Sequence, residues 1–243
     1  IPHPRANYAK VHIVTPTMTE DLVYVNVEPI RGSFISNPEN GFSSSAITQR
    51  DSDGDAMAQG NLYEFAGREF TPDGLKFVGT EKISAIQGAG RPDLTWASTE
   101  LAKGTVDAVK NVIDVGDFAK FWAMDVLLKN WDGYTGGANN VYVYNDYAAT
   151  SGTQNAGTVN FKFIPSGIDQ ILQPDRDFEI SERSAISTIL RNDAAMYTNL
   201  IDAVAEVRGS VFSRALLDGD IKRRIDTLQS QLIGLGIDST SEI

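Results

Sequence analysis

The chain has 243 residues, 42% of them hydrophobic and 22% charged, which is ordinary globular composition and enough to bury a substantial core. Its net charge of −11 repels phosphate backbones and argues against nucleic acid as a partner. With no cysteine, it can form no disulfide, thiolate nucleophile or cysteine zinc site. The two histidines, His3 and His12, lie near the start, which disfavours histidine zinc, and no G-x-S-x-G hydrolase turn is present. No apolar run approaches the roughly 18 residues of a membrane span. The chain opens Ile1-Pro2-His3-Pro4 with neither Met nor a signal-peptide pattern, as expected of a piece processed or excised from something longer.

In chain order, residues 9–15 and 22–29 alternate and are rich in β-branched side chains, so they predict two strands joined by a polar turn. Residues 61–66 and 75–79 predict two more, after a long Ser, Asn, Asp and Gly-rich link. Residues 81–100 read as an irregular crossing. Leu101, Val106, Val109, Val112 and Ile113 then fit one face of a helix despite Gly104. Asp117 is placed to cap the next helix, whose apolar face is Phe118, Phe121, Trp122, Val126 and Leu128. That helix stops at Asn130-Trp131-Asp132-Gly133. Residues 141–145 and 159–164 predict a hairpin, broken by Pro165 before Ser166-Gly167-Ile168-Asp169. The rest is mainly helical, with amphipathic segments over 193–207 and 218–234. The expected fold is α+β: a small β-rich lobe over 1–80, then a mainly helical lobe over 81–243 with an inserted hairpin.

The chemistry concentrates in residues 117–172. A helix ends in Asn130-Trp131-Asp132, Asn139-Asn140 opens a strand of Tyr and Val, and a strand from Phe161 to Pro165 leads to Asp169. With Tyr24 to Ile30 (YVNVEPI) and Gly60 to Glu64 (GNLYE), these segments resemble the CotH (spore-coat protein H) kinase family over roughly residues 4–235. The family is an atypical relative of the protein kinases. The resemblance implies a two-lobed, kinase-like fold, ATP with Mg²⁺ or Mn²⁺, and a location that is secreted or on a cell or spore surface.

Phosphoryl transfer needs an oriented nucleophile and cations to neutralise phosphate oxygens, and Mg²⁺ takes carboxylate and amide oxygen ligands. Carried across residue by residue, the resemblance makes Asp132 the catalytic-loop Asp. Asn140 or Asn139 becomes the amide ligand, with Asn140 also touching the nucleotide, and Asp169 the principal metal ligand. Glu28, which ends a predicted strand, becomes a partner for a lysine, a metal or the nucleotide. No His-Arg precedes Asp132, Gln170-Ile171 rather than Phe-Gly follows Asp169, and no G-x-G-x-x-G loop or V-A-I-K strand occurs. Family members usually carry an earlier phosphate-binding segment, which is expected either to have been cut away or to belong to a separate chain that acts as a partner; the other expected partner is a protein substrate or surface protein.

Each residue also has a plainer reading. Asp132-Gly133 has the alternative reading of a turn after a helix, Asn139 and Asn140 of strand-initiating turn residues, Asp169 of a turn cap, and Glu28 of a surface acid. Asp125 shares a helix face with Phe118, Phe121 and Trp122 and reads as a buried, hydrogen-bonded structural Asp. Asp51, Asp53 and Asp55 alternate like the start of a calcium loop, although Ala56 and Leu62 break the EF-hand pattern, and a solvated acidic turn is the plain alternative. Two functions follow: a phosphotransferase acting on Ser or Thr of a surface or secreted protein, or a catalytically weak or inactive domain serving as an adhesin or coat component.

Overall fold

Alternating Val, Ile and Tyr around a Pro-containing turn dictate the first structure in the chain. Strand β1 (Ala6–Val14) pairs antiparallel with β2 (Thr19–Val27), from Ala6 opposite Val27 to Val14 opposite Thr19. The backbone of Thr15 and Met18 closes the turn between them. A computed structural model describes residues 1–42, 60–65, 69–77, 91–146 and 159–234. The chain divides into two compact units: Ile1–Pro4 with Pro29–Val204, and Arg5–Glu28 with Ala205–Ile243. The β1–β2 hairpin belongs to the second.

The first unit begins with the short helix α1 (Gly32–Ile35) and is built on a four-stranded antiparallel sheet. Its strands are β3 (Leu62–Phe65), β4 (Leu75–Phe77), β5 (Val141–Asn145) and β6 (Phe161–Pro165), in the order β4-β3-β5-β6. Between β4 and β5 lie α2 (Pro92–Leu101), α3 (Val106–Val112), α4 (Val115–Leu127) and α5 (Tyr134–Gly137). Helix α6 (Ala185–Arg191) and α7 (Ala194–Ser210) follow β6.

Alternation along the strands builds two cores, one on each face of the sheet. Tyr63, Phe65, Val141, Val143, Phe161 and Phe163 face the larger, together with Phe118, Phe121, Trp122 and Tyr134 from the helical side. Leu62, Tyr144 and Ile164 face the smaller, with Phe34, Ile35 and Phe42. Phe163 sits at the centre of the larger core, its ring 4.8 Å from that of Tyr134 and 4.9 Å from that of Phe118. Such ring pairs add to the area they bury.

A buried carboxylate ties the sheet to the helices. Asp93, in the first turn of α2, accepts hydrogen bonds from the Asn61 amide at 2.9 Å, the Tyr63 hydroxyl at 2.8 Å and the Asn145 amide at 3.2 Å. The backbone N–H of Leu94 adds a fourth at 2.9 Å. Burial and the neighbouring Asp93 push the Tyr63 hydroxyl well above its usual pKa, so it stays a donor.

The mixture of helices and antiparallel strands agrees with the expected α+β class. The expected division after residue 80 runs through the sheet, because β3 pairs with β5: Tyr63 lies opposite Val143. Residues 81–100 are not wholly irregular, since α2 starts at Pro92, where proline's missing N–H costs the helix nothing. The helix expected from Leu101 to Ile113 breaks at the left-handed Gly104, and α3 starts afresh with Thr105 as its cap. Asp114, not Asp117, caps α4, accepting from the N–H groups of Gly116 and Asp117. Pro165 closes β6 rather than following it.

In the second unit, α8 (Arg214–Leu216) runs through a wider turn at Leu217–Ile221 into α9 (Lys222–Gly234). Exposed pairs such as Lys222–Asp226 and Arg224–Asp220 line this segment and contribute little each.

Replacing Asp93 by Ala removes the carboxylate that accepts from three buried side-chain donors. The expected loss is about 3–5 kcal/mol, against about 1 kcal/mol for Tyr63→Phe, which removes one donor. Urea unfolding of the two variants checks the ranking, with the midpoint falling and the slope unchanged.

Candidate functional site

Helix α4 ends by a reversal that throws the next residues back across its own C-terminus. Lys129 is left-handed at φ 54°, the Asn130 N–H bonds to the Asp125 carbonyl at 2.8 Å, and the Lys129 N–H bonds to that of Val126 at 3.1 Å. This is a Schellman closure with lysine where glycine is usual. It delivers Asn130-Trp131-Asp132-Gly133 as a tight loop between α4 and α5.

Asp132 is held by both predicted asparagines. One carboxylate oxygen accepts from Asn139 Nδ2 at 3.1 Å and the other from Asn140 Nδ2 at 2.7 Å. Asn140 reaches it from a left-handed backbone, φ 48°, a conformation that asparagine tolerates better than most residues. The Asn140 carbonyl accepts from Ser166 N–H at 3.0 Å, which extends the β5–β6 ladder by one step and brings the Ser166-Gly167 turn against it. At Gly167, φ 57°, an added Cβ would stand 2.8 Å from both Cγ and Oδ1 of Asn140. Glycine is therefore required there twice over, by its own backbone and by its neighbour's amide. Asp169 follows within the short helical turn Ile168–Gln170 and is exposed.

Beneath the loop lies Asp125, buried as expected. Its carboxylate accepts from Asn130 Nδ2 at 2.8 Å and from Thr135 Oγ1 at 3.0 Å, and so grips both ends of the segment that carries Asp132. Burial raises its pKa from 3.8 to about 6, against the lowering effect of these donors. At Gly133 a Cβ would meet Asn130 Nδ2 at 2.5 Å and the Asp125 carboxylate at 3.0 Å, so the loop packs on this network with no room for a side chain.

A cleft of about 280 Å³ opens beside the network. Lys129, Arg176 and Arg183 bring positive charge to it, and Asp175, Asp177 and Glu179 bring negative. Arg176 stacks 4.1 Å over the Trp131 ring, and Lys129 lies 4.8 Å over that of Phe178. Two backbone bonds hold the segment beyond Asp169 on the loop: Leu172 N–H to the Leu128 carbonyl at 2.7 Å, and Arg183 N–H to that of Thr135 at 3.1 Å.

A helix end, an Asp held by paired asparagines, a hairpin, and a Gly-containing step to a second Asp thus follow one another in space as well as in sequence. The family profile described as CotH kinase protein matches residues 2–232. The chain belongs to the CotH kinase protein family. No curated protein sequence matches it. No described helix of this CotH-type domain is long and apolar enough to cross a membrane.

Of the residues singled out in sequence, Asp132, Asn139 and Asn140 form one hydrogen-bonded group, and Asp169 follows the turn packed against it. Glu28 belongs to the second unit. There its carboxylate forks onto the Arg5 guanidinium at 2.9 and 3.1 Å, and its N–H bonds to the Arg5 carbonyl, closing the base of the hairpin. Asp51, Asp53 and Asp55 lie outside the described residues. Among the described residues no three acidic or histidine side chains form a metal cluster. What the CotH site offers is two carboxylates, Asp132 and Asp169, and two amides. Their oxygens are hard donors of the kind Mg²⁺ and Mn²⁺ accept. Sequence reasoning missed Asn130 and Thr135 as partners of Asp125, and Arg176 as the cover of Trp131. The spacing of Asp125 and Asn130, five residues across a helix end, is visible only once the reversal at Lys129 is known.

Two outcomes are expected. Gly167→Ala should cost about 1–3 kcal/mol by denaturant unfolding, since strain and collision act together. Asp125 is an acid whose pKa is raised on folding, so its ionisation works against the fold. That cost is absent below about pH 4, grows towards pH 6 and is complete above it. The stability of wild type relative to Asp125→Asn should therefore rise by about 2 kcal/mol from pH 7 to pH 4 in paired urea titrations.

Proposed function

We propose that this domain transfers the γ-phosphoryl group of ATP to a Ser or Thr hydroxyl of a surface or secreted protein. The observation that carries the reading is the Asp132 carboxylate held by the amides of Asn139 and Asn140, at the place where family resemblance puts a catalytic loop. In the reaction the hydroxyl oxygen bonds to the γ-phosphorus, the bond from that phosphorus to the β,γ-bridging oxygen breaks, and ADP leaves. Asp132 accepts the hydroxyl proton. Fixed by two donors, it meets the hydroxyl in one orientation, which is most of what a base contributes here.

Asp169 supplies an exposed carboxylate for a divalent cation, and the amide oxygens of Asn139 and Asn140 are further ligands. When bound, Mg²⁺ or Mn²⁺ would neutralise charge on the phosphate oxygens. The kinase-like, two-lobed arrangement belongs to the same reading and is supported by the order of elements: strands, a helix, the Asp132 loop, a hairpin, Asp169, then helices. Glu28 is bonded to Arg5 within the hairpin unit, and the reading rests on Asp132, Asn139, Asn140 and Asp169 without it.

The test is radiolabelled transfer from ATP to the protein itself and to a generic protein substrate, with Mg²⁺ and Mn²⁺ compared, alongside calorimetric nucleotide binding. Metal-dependent binding and transfer are expected. Asp169→Asn should lose at least about 100-fold in transfer rate, and Asp132→Asn a similar factor, while both keep the wild-type circular dichroism spectrum. Absence of nucleotide binding with either metal would overturn the reading and leave an adhesin or coat-component role.

A further inference from the structure

We infer that Asp125 is the positioning residue of the Asp132 loop: by holding Asn130 and Thr135 together, it sets where Asp132 meets Asn139, Asn140 and the acceptor hydroxyl. The inference rests on the phosphotransfer reading above and adds to it a residue that touches none of the reactants.

The geometry is that of a clamp with one fixed jaw. Asp125 sits on α4, whose apolar face of Phe118, Phe121 and Trp122 is buried in the larger core, so its own position is set by packing. Asn130 and Thr135 stand two residues before and three after Asp132, and each donates a side-chain hydrogen bond to a different Asp125 oxygen. The loop between them has little freedom left. Gly133 packs directly on Asp125 and Asn130, and the Gly133 N–H points to the Asn130 carbonyl at 3.4 Å. Beyond Thr135, α5 leads straight into Asn139 and Asn140. Asp125 thus fixes both the residue that carries the base and the start of the segment that orients it.

A role in stability alone does not account for this arrangement. A carboxylate buried at a helix end costs more to desolvate than a neutral amide or an apolar side chain would. What the charge adds is directionality. An ionised carboxylate is acceptor-only, so neither Asn130 nor Thr135 can rotate and keep its bond. Such fixed second contacts hold reacting groups in a productive geometry, where misplacement by about 1 Å costs about 100-fold in rate.

The test compares wild type, Asp125→Asn and the exchange Asp125→Asn with Asn130→Asp, which restores a donor–acceptor pair with the charge moved across it. Transfer kinetics and the side-chain amide signals of Asn139 and Asn140 in ¹⁵N–¹H spectra are read for each. In Asp125→Asn, kcat should fall about 100-fold with KM for ATP changed less than about threefold, because Asp169 is not part of the clamp. The two amide signals should shift or broaden in the folded variant. The exchange should recover at least about tenfold of the lost kcat and return the signals towards wild type. A residue that merely stabilises the fold would lower Tm while leaving kcat and the amide signals of the folded protein unchanged, and that result overturns the inference while leaving phosphotransfer intact. Should wild type show no transfer, phosphotransfer falls and the amide spectra alone decide the clamp.

Discussion

One buried carboxylate, that of Asp93, connects parts of the chain that local sequence would keep separate. It gathers Asn61 and Tyr63 from the first strand of the sheet, Asn145 from the third, and the first turn of a helix between them in sequence. Four donors satisfy one buried carboxylate.

Asp93 and Asp125, both buried, divide the labour. Asp93 joins secondary-structure elements and has no neighbour at the Asp132 loop among its hydrogen-bond partners. Asp125 joins a helix to that loop. Their surroundings differ accordingly: Asp93 accepts from two amides, a phenol and a backbone N–H, whereas Asp125 has one amide and one hydroxyl side chain and an ionisation that burial opposes.

Much of this was legible in the residues. The alternation in VYVYN and in the strand ending FKFIP placed β5 and β6 almost to the residue, because half-buried strands must repeat every two positions. The structural reading of Asp125 likewise followed from residue type and neighbours, whereas the grouping of Asn139 and Asn140 with Asp132 followed from the family resemblance. Other features were hidden for physical reasons. Pro92-Asp93 looked like punctuation, yet proline is equally at home in a helix's first turn, and periodicity over α2 is weak. Asp114 and Asp117 both suit a cap, and only the backbone of Asp114, which is extended, chooses between them. That β3 lies beside β5 is written in no local pattern, since strand order depends on contacts far apart in sequence. The role of Gly167 was equally invisible, because it is imposed by a side chain 27 positions earlier.

Of the five non-glycine residues with left-handed backbones among the described residues, Lys129, Ala138, Asn140 and Leu172 flank the Asp132 loop or the segment laid upon it. Each such residue costs on the order of 1 kcal/mol relative to an unstrained one. Genetic drift at these positions therefore has a preferred direction. Glycine and asparagine are admitted, and valine and isoleucine are rejected. Lys129 lies over Phe178 and Asn140 holds Asp132, so at these two positions the easiest neutral step for the backbone is closed by the side chain. The loop's sequence is constrained from two sides at once, and a short stretch of chain becomes slow to diverge even where none of its residues meets a substrate.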